Sequence, residues 1–179
     1  DSHSHATMVG RMSGQANLSS PPVGPVRDIA SLQQRLRDHI AAKRLPEGAW
    51  AVGYGYDDSL LAENRHPTRD ELDAVSPDRP IAILHVSGHL SVANSAALAA
   101  AGISAASKDP PGGHIRRKAG SLEPDGVLEE TAAYGVLGRI YGQGPASPVP
   151  GLLTALQTYA SEGFTTVQDG AASAADVAA

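Results

Sequence analysis

The first five residues, Asp1-Ser2-His3-Ser4-His5, hold the densest chemistry in the chain. Their alternation reads as the end of a strand, so His3 and His5, two apart, project from one face. Two imidazoles converging at a strand end can give one divalent ion two nitrogen ligands at ~2.0–2.1 Å. Asp1 shares their parity one step deeper, where a carboxylate can orient a histidine ring from behind. A bare His-x-His is a weak signal, and a polar, His-rich start without function reads the same way. His85 and His89 stand four apart, which suits two ligands on a helix. The apolar run Ile81–Val86 points instead to a strand ending near His85, with His89 in the following turn and Asn94 at the start of a helix. These three read as substrate-pocket residues, or equally as a polar network that fixes the loop.

Glu130 stands where a helix begins. A carboxylate there can approach a metal, or simply complement the positive end of the helix. Trp50, Tyr54 and Tyr56 crowd one glycine-broken segment of a chain with only 4% aromatic residues. Trp50 and Tyr56 can therefore wall an apolar pocket, although core packing accounts for them more readily. His39, His66 and His114 read as surface residues, and Gln168 and Asp169 carry little weight alone. No phosphate-binding glycine loop or Gly-x-Ser-x-Gly elbow is present, so serine-based hydrolysis has no support.

The elements that must position these groups alternate. After a Gly/Ser/Pro-rich stretch over 6–26, Ile29, Leu32, Leu36 and Ile40 mark one apolar helix face over 29–45, with Asp28 as its N-cap. Residues 50–56 read as a strand whose glycines admit a bulge. Thr68 and Glu71 form a capping box for a short helix. Residues 81–86 read as a strand buried on both faces. An Ala-rich helix over 91–101 ends at Gly102, and short strands are expected near 114–117 and 126–128. Helices over 129–141 and 152–161 flank a Gly/Pro loop at 142–150, and 164–168 reads as a final buried strand. This order predicts an α/β fold with mostly parallel strands, as an open sheet or a barrel.

Composition narrows the function classes. The chain has 179 residues, 14 Lys and Arg against 19 Asp and Glu, and a formal charge of -5. That balance argues against nucleic acid or an anionic membrane as partner. No stretch approaches the ~20 apolar residues of a membrane span. Without cysteine there is no disulfide scaffold, thiolate metal site or thiol nucleophile. A cytoplasmic protein is expected; because the chain opens at Asp1, a secretory leader is neither visible nor excluded.

Beyond the first five residues, several motifs stand in register. They are Trp50-Ala51-Val52-Gly53-Tyr54-Gly55-Tyr56-Asp57-Asp58, Leu72–Pro80, His85-Val86-Ser87-Gly88-His89 followed by Val92–Ser95, Pro111-Gly112-Gly113, Gly126–Glu130 and Gly163–Gly170. Together the sequence resembles the metal-dependent amidohydrolase superfamily, in its amidohydrolase family 3 branch, the group that includes N-substituted formamide deformylases. The resemblance implies a partial (β/α)8 TIM barrel with an insertion after the first strand. Residues 1–179 would be the N-terminal part of that barrel domain, with about 50–125 as a strand-rich insertion.

It also implies hydrolysis of a non-peptide C–N bond, amide or formamide-like, in a small molecule by metal-activated water. His3 and His5 match the family's first two ligands, and Glu130 matches the acidic residue of its Gly-Val-Leu-x-Glu motif. The ion is a divalent metal, zinc being the first expectation, and a homo-oligomer is compatible. Two further histidines and a general-base aspartate are expected from later strands, so this stretch alone is expected to be inactive. The rival is a non-catalytic, degenerate barrel that serves as a binding or structural module.

Overall fold

The computed structural model describes residues 1–141 and 149–174. Residues 142–148, most of the expected Gly/Pro loop, lie outside the described residues. The chain forms two compact units. One is made from both ends of the chain, residues 1–15 and those described from Val149 onward; the other is continuous, from Ala16 onward.

The continuous unit is a six-stranded sheet with helices on its two faces. Its elements are β1 (Ala16–Asn17), α2 (Ile29–Lys43), β2 (Ala51–Tyr56), α3 (Arg69–Asp73), β3 (Ile81–His85), β4 (Leu90–Ala93), α4 (Ser95–Ala100), β5 (Gly113–Arg117), β6 (Pro124–Glu130) and α5 (Thr131–Tyr141); α1 (Ala6–Met12) precedes them in the other unit. The strand order is β1-β2-β3-β4-β6-β5. Only β1, β2 and β3 run parallel; β3 with β4, β4 with β6, and β5 with β6 are antiparallel. The expected mostly parallel sheet is thus a mixed one. The reason lies in the connections: residues 86–89 turn directly from β3 into β4, whereas a parallel return needs a crossover of a dozen or more residues.

The period of two is visible in the packing. Ile81, Ile83, Val92 and Val127 join Leu32, Leu36 and Leu72 in one core, under α2 and α3. Ala82, Ala93 and Leu128 join Leu98, Ala133 and Val136 in another, under α4 and α5. Burial of β3 on both faces explains its unbroken apolar run. Asp28 caps α2 through the Ser31 amide, and Thr68 with Glu71 forms the expected box on α3. Residues 91–93, expected to open a helix, belong instead to β4; alternation of Leu90, Ser91, Val92 and Ala93 across two cores outweighs alanine's helix preference, and α4 starts only at Ser95.

The unit built from the chain ends contains α1 and α6 (Val149–Ser161). α1 falls within the stretch expected to be loop. Gly10 and Gly151 allow α1 and α6 to touch backbone to backbone: a Cβ on Gly10 would lie 2.6 Å from the Gly151 carbonyl carbon. Residues 1–5 and 164–168, both expected as strands, form only a single parallel bridge, Ser4 with Asp169. Backbone bonds nevertheless bind the two segments: Gln168 N–H donates to Asp1 O (3.1 Å), Ser4 N–H to Gln168 O (2.9 Å) and Gly170 N–H to Ser4 O (2.8 Å).

Candidate functional site

In the unit formed by the chain ends, the bridge at Ser4 and the backbone bonds around it hold residues 1–5 against 166–170, and His3 and His5 lie beside each other. Their rings meet edge to face with centroids 5.4 Å apart. Two features beneath them set this geometry. Gly170 leaves room for the His3 ring, whose Cε1 would lie 3.0 Å from a Cβ at that position. Asp169 fixes the start of α1: one carboxylate oxygen accepts from the Thr7 amide (2.8 Å) and hydroxyl (2.5 Å), the other from the Ala171 amide (2.9 Å). These bonds, those from Thr7 foremost, hold the Asp169 carboxyl down at about 2, with His5 contributing in the same direction. Asp1 accepts from the His3 backbone amide rather than from a ring (3.0 Å). Ser4 is buried, and its hydroxyl meets that of Tyr159.

This pair fits a divalent ion on one direct observation: the Nδ1 of His5 is buried and has no hydrogen-bond partner. A buried ring nitrogen without a partner costs free energy, and a metal ion is one acceptor of its lone pair. His3 and His5 are the residues that would hold such an ion here.

In the continuous unit, polar groups gather at one end of the sheet, where parallel β2 and β3 finish. Ligands of open α/β sheets bind outside the carboxyl ends of strands. Gly55, at φ +84°, accompanies a register shift between Tyr54 and Tyr56, and the bulge turns Tyr56 fully into the core. The Tyr56 hydroxyl lies 3.1 Å from His66 Nδ1, and its ring meets that of His85 edge to face at 5.1 Å. Burial drives the Tyr56 phenol strongly upward, seconded by the charge of Asp58. Burial also lowers the His66 pKa; Arg116 and His85 add to this, while Asp58 and Glu129 oppose it. His85 Nε2 lies 3.0 Å from Asp58 Oδ1, and its Nδ1 is 2.8 Å from Ser87 Oγ.

At the same end, His89 Nδ1 meets Glu130 Oε2 at 3.0 Å, both side chains being largely exposed. Glu130 closes β6 with φ +53°, a left-handed backbone that costs a non-glycine residue and concentrates at functional positions. The Glu130 amide donates to the His89 carbonyl (2.8 Å), so two bonds bind this pair.

The remaining candidates are structural in their contacts. Asn94 is fully buried. Its oxygen accepts from the amides of Ile81 and Ala97, and its nitrogen donates to the carbonyls of Ser76 and Arg79. All four hydrogen-bonding positions of the amide are used, which leaves none for a substrate: the polar-network alternative describes Asn94. Trp50 packs partly buried against the core under α4 and α5. Of the candidates, the structure brings together His3 with His5, His89 with Glu130, and Tyr56 with His85. His66, expected at the surface, has a side chain largely buried beside Asp58 and Tyr56; nothing in the sequence around either Asp58 or His66 announces a contact that tertiary folding makes. The same holds for Asp169, whose partner Thr7 is 162 residues away.

Carboxylates and imidazoles at the strand ends of the mixed unit, and His3 beside His5 with its buried, unpartnered Nδ1, are carried on one α/β fold. Two solved structures share it. The uncharacterized metal-dependent hydrolases of Pyrococcus furiosus and Pyrococcus horikoshii align over 93% of this chain with TM-scores of 0.58 and 0.57, at 20% and 22% identity, covering 30% and 29% of those chains. The chain belongs to the amidohydrolase family, whose Amidohydro_3 model matches residues 1–179. It is 35% identical over 133 residues to the N-substituted formamide deformylase of Arthrobacter pascens, and 33% identical over 132 residues to the putative amidohydrolase YtcJ of Bacillus subtilis. Each alignment covers 74% of this chain and 23% of the relative, so the chain spans under a quarter of the length of these two proteins. Among the described residues no helix is long and apolar enough to cross a membrane.

Proposed function

We propose that this chain is part of a metal-dependent hydrolase that cleaves a non-peptide C–N bond, amide or formamide-like, in a small molecule, and that residues 1–179 contribute to a (β/α)8 barrel. The observation that carries the reading is the His3–His5 pair with its buried, unpartnered nitrogen. His3 and His5 would hold a divalent ion there, zinc by first expectation, which would supply a bound water of pKa about 7 and a Lewis acid for the substrate carbonyl.

The chain's own residues prepare that site. His3 and His5 supply two nitrogen donors. Gly170 makes room for the His3 ring, and Asp169 anchors the helix that starts one residue after His5. His89 presents a polar contact for a substrate, and Glu130 stays a candidate carboxylate for a cation, held by a single exposed side-chain contact that an incoming charge can displace. Two imidazoles do not close a catalytic site, which takes at least three protein ligands; the 179-residue chain alone is therefore expected to bind the catalytic metal weakly and to turn over no substrate.

The test uses the complete reading frame. Metal content and hydrolysis of a panel of N-formyl and N-acyl amines are measured for the unsubstituted protein and for His3→Ala/His5→Ala. Loss of both metal and turnover is expected. Full turnover by the doubly substituted protein, or by protein stripped of metal, would overturn the proposal. An intact protein without amide or formamide turnover favours the binding-module rival.

A further inference from the structure

We propose that Asp57, Asp58 and His85 form a second divalent-cation site, made without His3, His5 or Glu130. One potential ligand atom from each of the three lies within 4.8 Å of the others. Donors about 2.1 Å from a common ion in a tetrahedral arrangement stand roughly 3.4 Å apart, so no separation has to shorten by more than about 1.4 Å for all three to reach bonding distance. This is a mixed set, two carboxylates and an imidazole, and not a run of surface acids. The His85 side chain is 12% exposed and that of Asp58 31%.

The positions are fixed by the backbone. Asp57 and Asp58 leave the end of β2 directly after the bulge, and His85 ends the adjacent parallel strand β3. Asp57 is held through one oxygen by the amide and hydroxyl of Ser59 (3.0 and 2.6 Å), which leaves its second oxygen for a cation. Two carboxylates beside each other repel, and a divalent ion relieves that repulsion. An imidazole with two carboxylate oxygens suits a first-row ion such as zinc, cobalt or manganese better than calcium or magnesium.

The hydrogen bonds at His85 say how binding must proceed. The Ser87 amide N–H donates to His85 Nδ1 (3.1 Å), so without a metal the ring proton sits on Nε2 and is donated to Asp58. An ion at Nε2 requires the other tautomer, with the proton on Nδ1. Ser87 Oγ, 2.8 Å from Nδ1, is in place to accept it, as a metal-bound histidine requires of the group behind it. Occupancy therefore moves the ring proton from Nε2 to Nδ1, and the Ser87 amide gives up its contact.

The experiment follows the ring nitrogens of His85 by 15N NMR in the 179-residue chain, and in the same chain carrying His3→Ala/His5→Ala, as zinc alone is added. The expected result in both is a switch of His85 from the Nε2–H to the Nδ1–H tautomer. Cobalt in place of zinc should broaden the signals of residues 57, 58 and 85 together. Asp58→Asn and Asp57→Asn should each weaken zinc binding in the His3/His5-substituted chain at least tenfold. Retention of the Nε2–H tautomer at saturating zinc overturns the proposal, as does binding that neither substitution changes. Because the doubly substituted chain lacks the imidazole pair, failure of the hydrolase reading and failure of this site give different results.

Discussion

Asp169 offers the sharpest test of how the imidazole pair is held. α1 begins at Ala6, and its N-cap residue, His5, makes no side-chain capping bond. The acceptor that a local Ser, Asp or Asn would supply comes instead from Asp169, through the Thr7 amide and hydroxyl. Asp169→Ala removes that cap, which by the range for lost N-caps costs about 0.5–2 kcal/mol. Asp169→Asn removes less. If its oxygen faces Thr7, its NH2 faces the Ala171 amide, two donors opposed, and only one side of the original contact survives. Since about 1.4 kcal/mol is a factor of ten, Thr7 amide exchange should accelerate roughly tenfold in Asp169→Ala and by less in Asp169→Asn.

The pH dependence has a definite sign. The Asp169 carboxyl lies at about 2 in the folded protein, against an ordinary 3.8. Its contribution is therefore fully present above pH ~3.8 and disappears as the pH falls toward 2. Protection of the Thr7 amide should fall over that window in the unsubstituted chain, whereas Asp169→Ala should show no such step. Zinc affinity of the intact protein should also drop about tenfold, the usual cost of losing a group that orients a ligand. Unchanged Thr7 exchange in Asp169→Ala would refute this account of the site's support.

Gly170→Ala brings a Cβ to 3.0 Å from the His3 ring, so the ring must move; weaker metal binding is expected with little loss of stability, checked by calorimetric zinc titration. Asn94→Ala strips the acceptor from the buried amides of Ile81 and Ala97 and should cost about 2–4 kcal/mol in urea denaturation. Glu130→Gly relaxes a backbone at φ +53°, so stability should stay within ~1 kcal/mol while turnover by the intact protein falls; unchanged turnover would remove Glu130 from the functional groups. Burial holds His66 below its ordinary 6.5, so its contribution to stability is present above pH ~6.5 and is lost as the pH falls through the folded value. NMR titration of its ring should place the midpoint below 6.5.

Much of the continuous unit is legible wherever a single segment carries its own signal. Asp28 with Ile29, Leu32 and Leu36 specifies a capped amphipathic helix, Thr68 with Glu71 a box, and Ile81–Leu84 a doubly buried strand. Gly55 announced the bulge that reorients Tyr56. The misread segments are those decided by distant partners. α1 carries a glycine that suits its interior only because Gly151 packs against it. β4 is alanine-bearing sequence held extended by β3 and β6. The same division applies to chemistry: His3 with His5 is visible as spacing, whereas Asp58, His66 and His85 come together from a strand end, a loop and a neighbouring strand.

The unit that carries His3 and His5 is assembled from the two ends of the chain, and this has a consequence for biogenesis. His3 and His5 are synthesised before the acceptor that anchors them, which arrives 162 residues after Thr7. At roughly 5–20 residues per second this is a delay of about 8–30 s, during which the imidazoles have no organised surroundings, while the intervening residues form a contiguous stretch able to collapse first. Metal loading at the proposed His3–His5 site is therefore expected to follow the synthesis of residues 166–170. Scarce or competing ions during translation meet a flexible His-x-His peptide; the finished protein meets them with two rings already aligned.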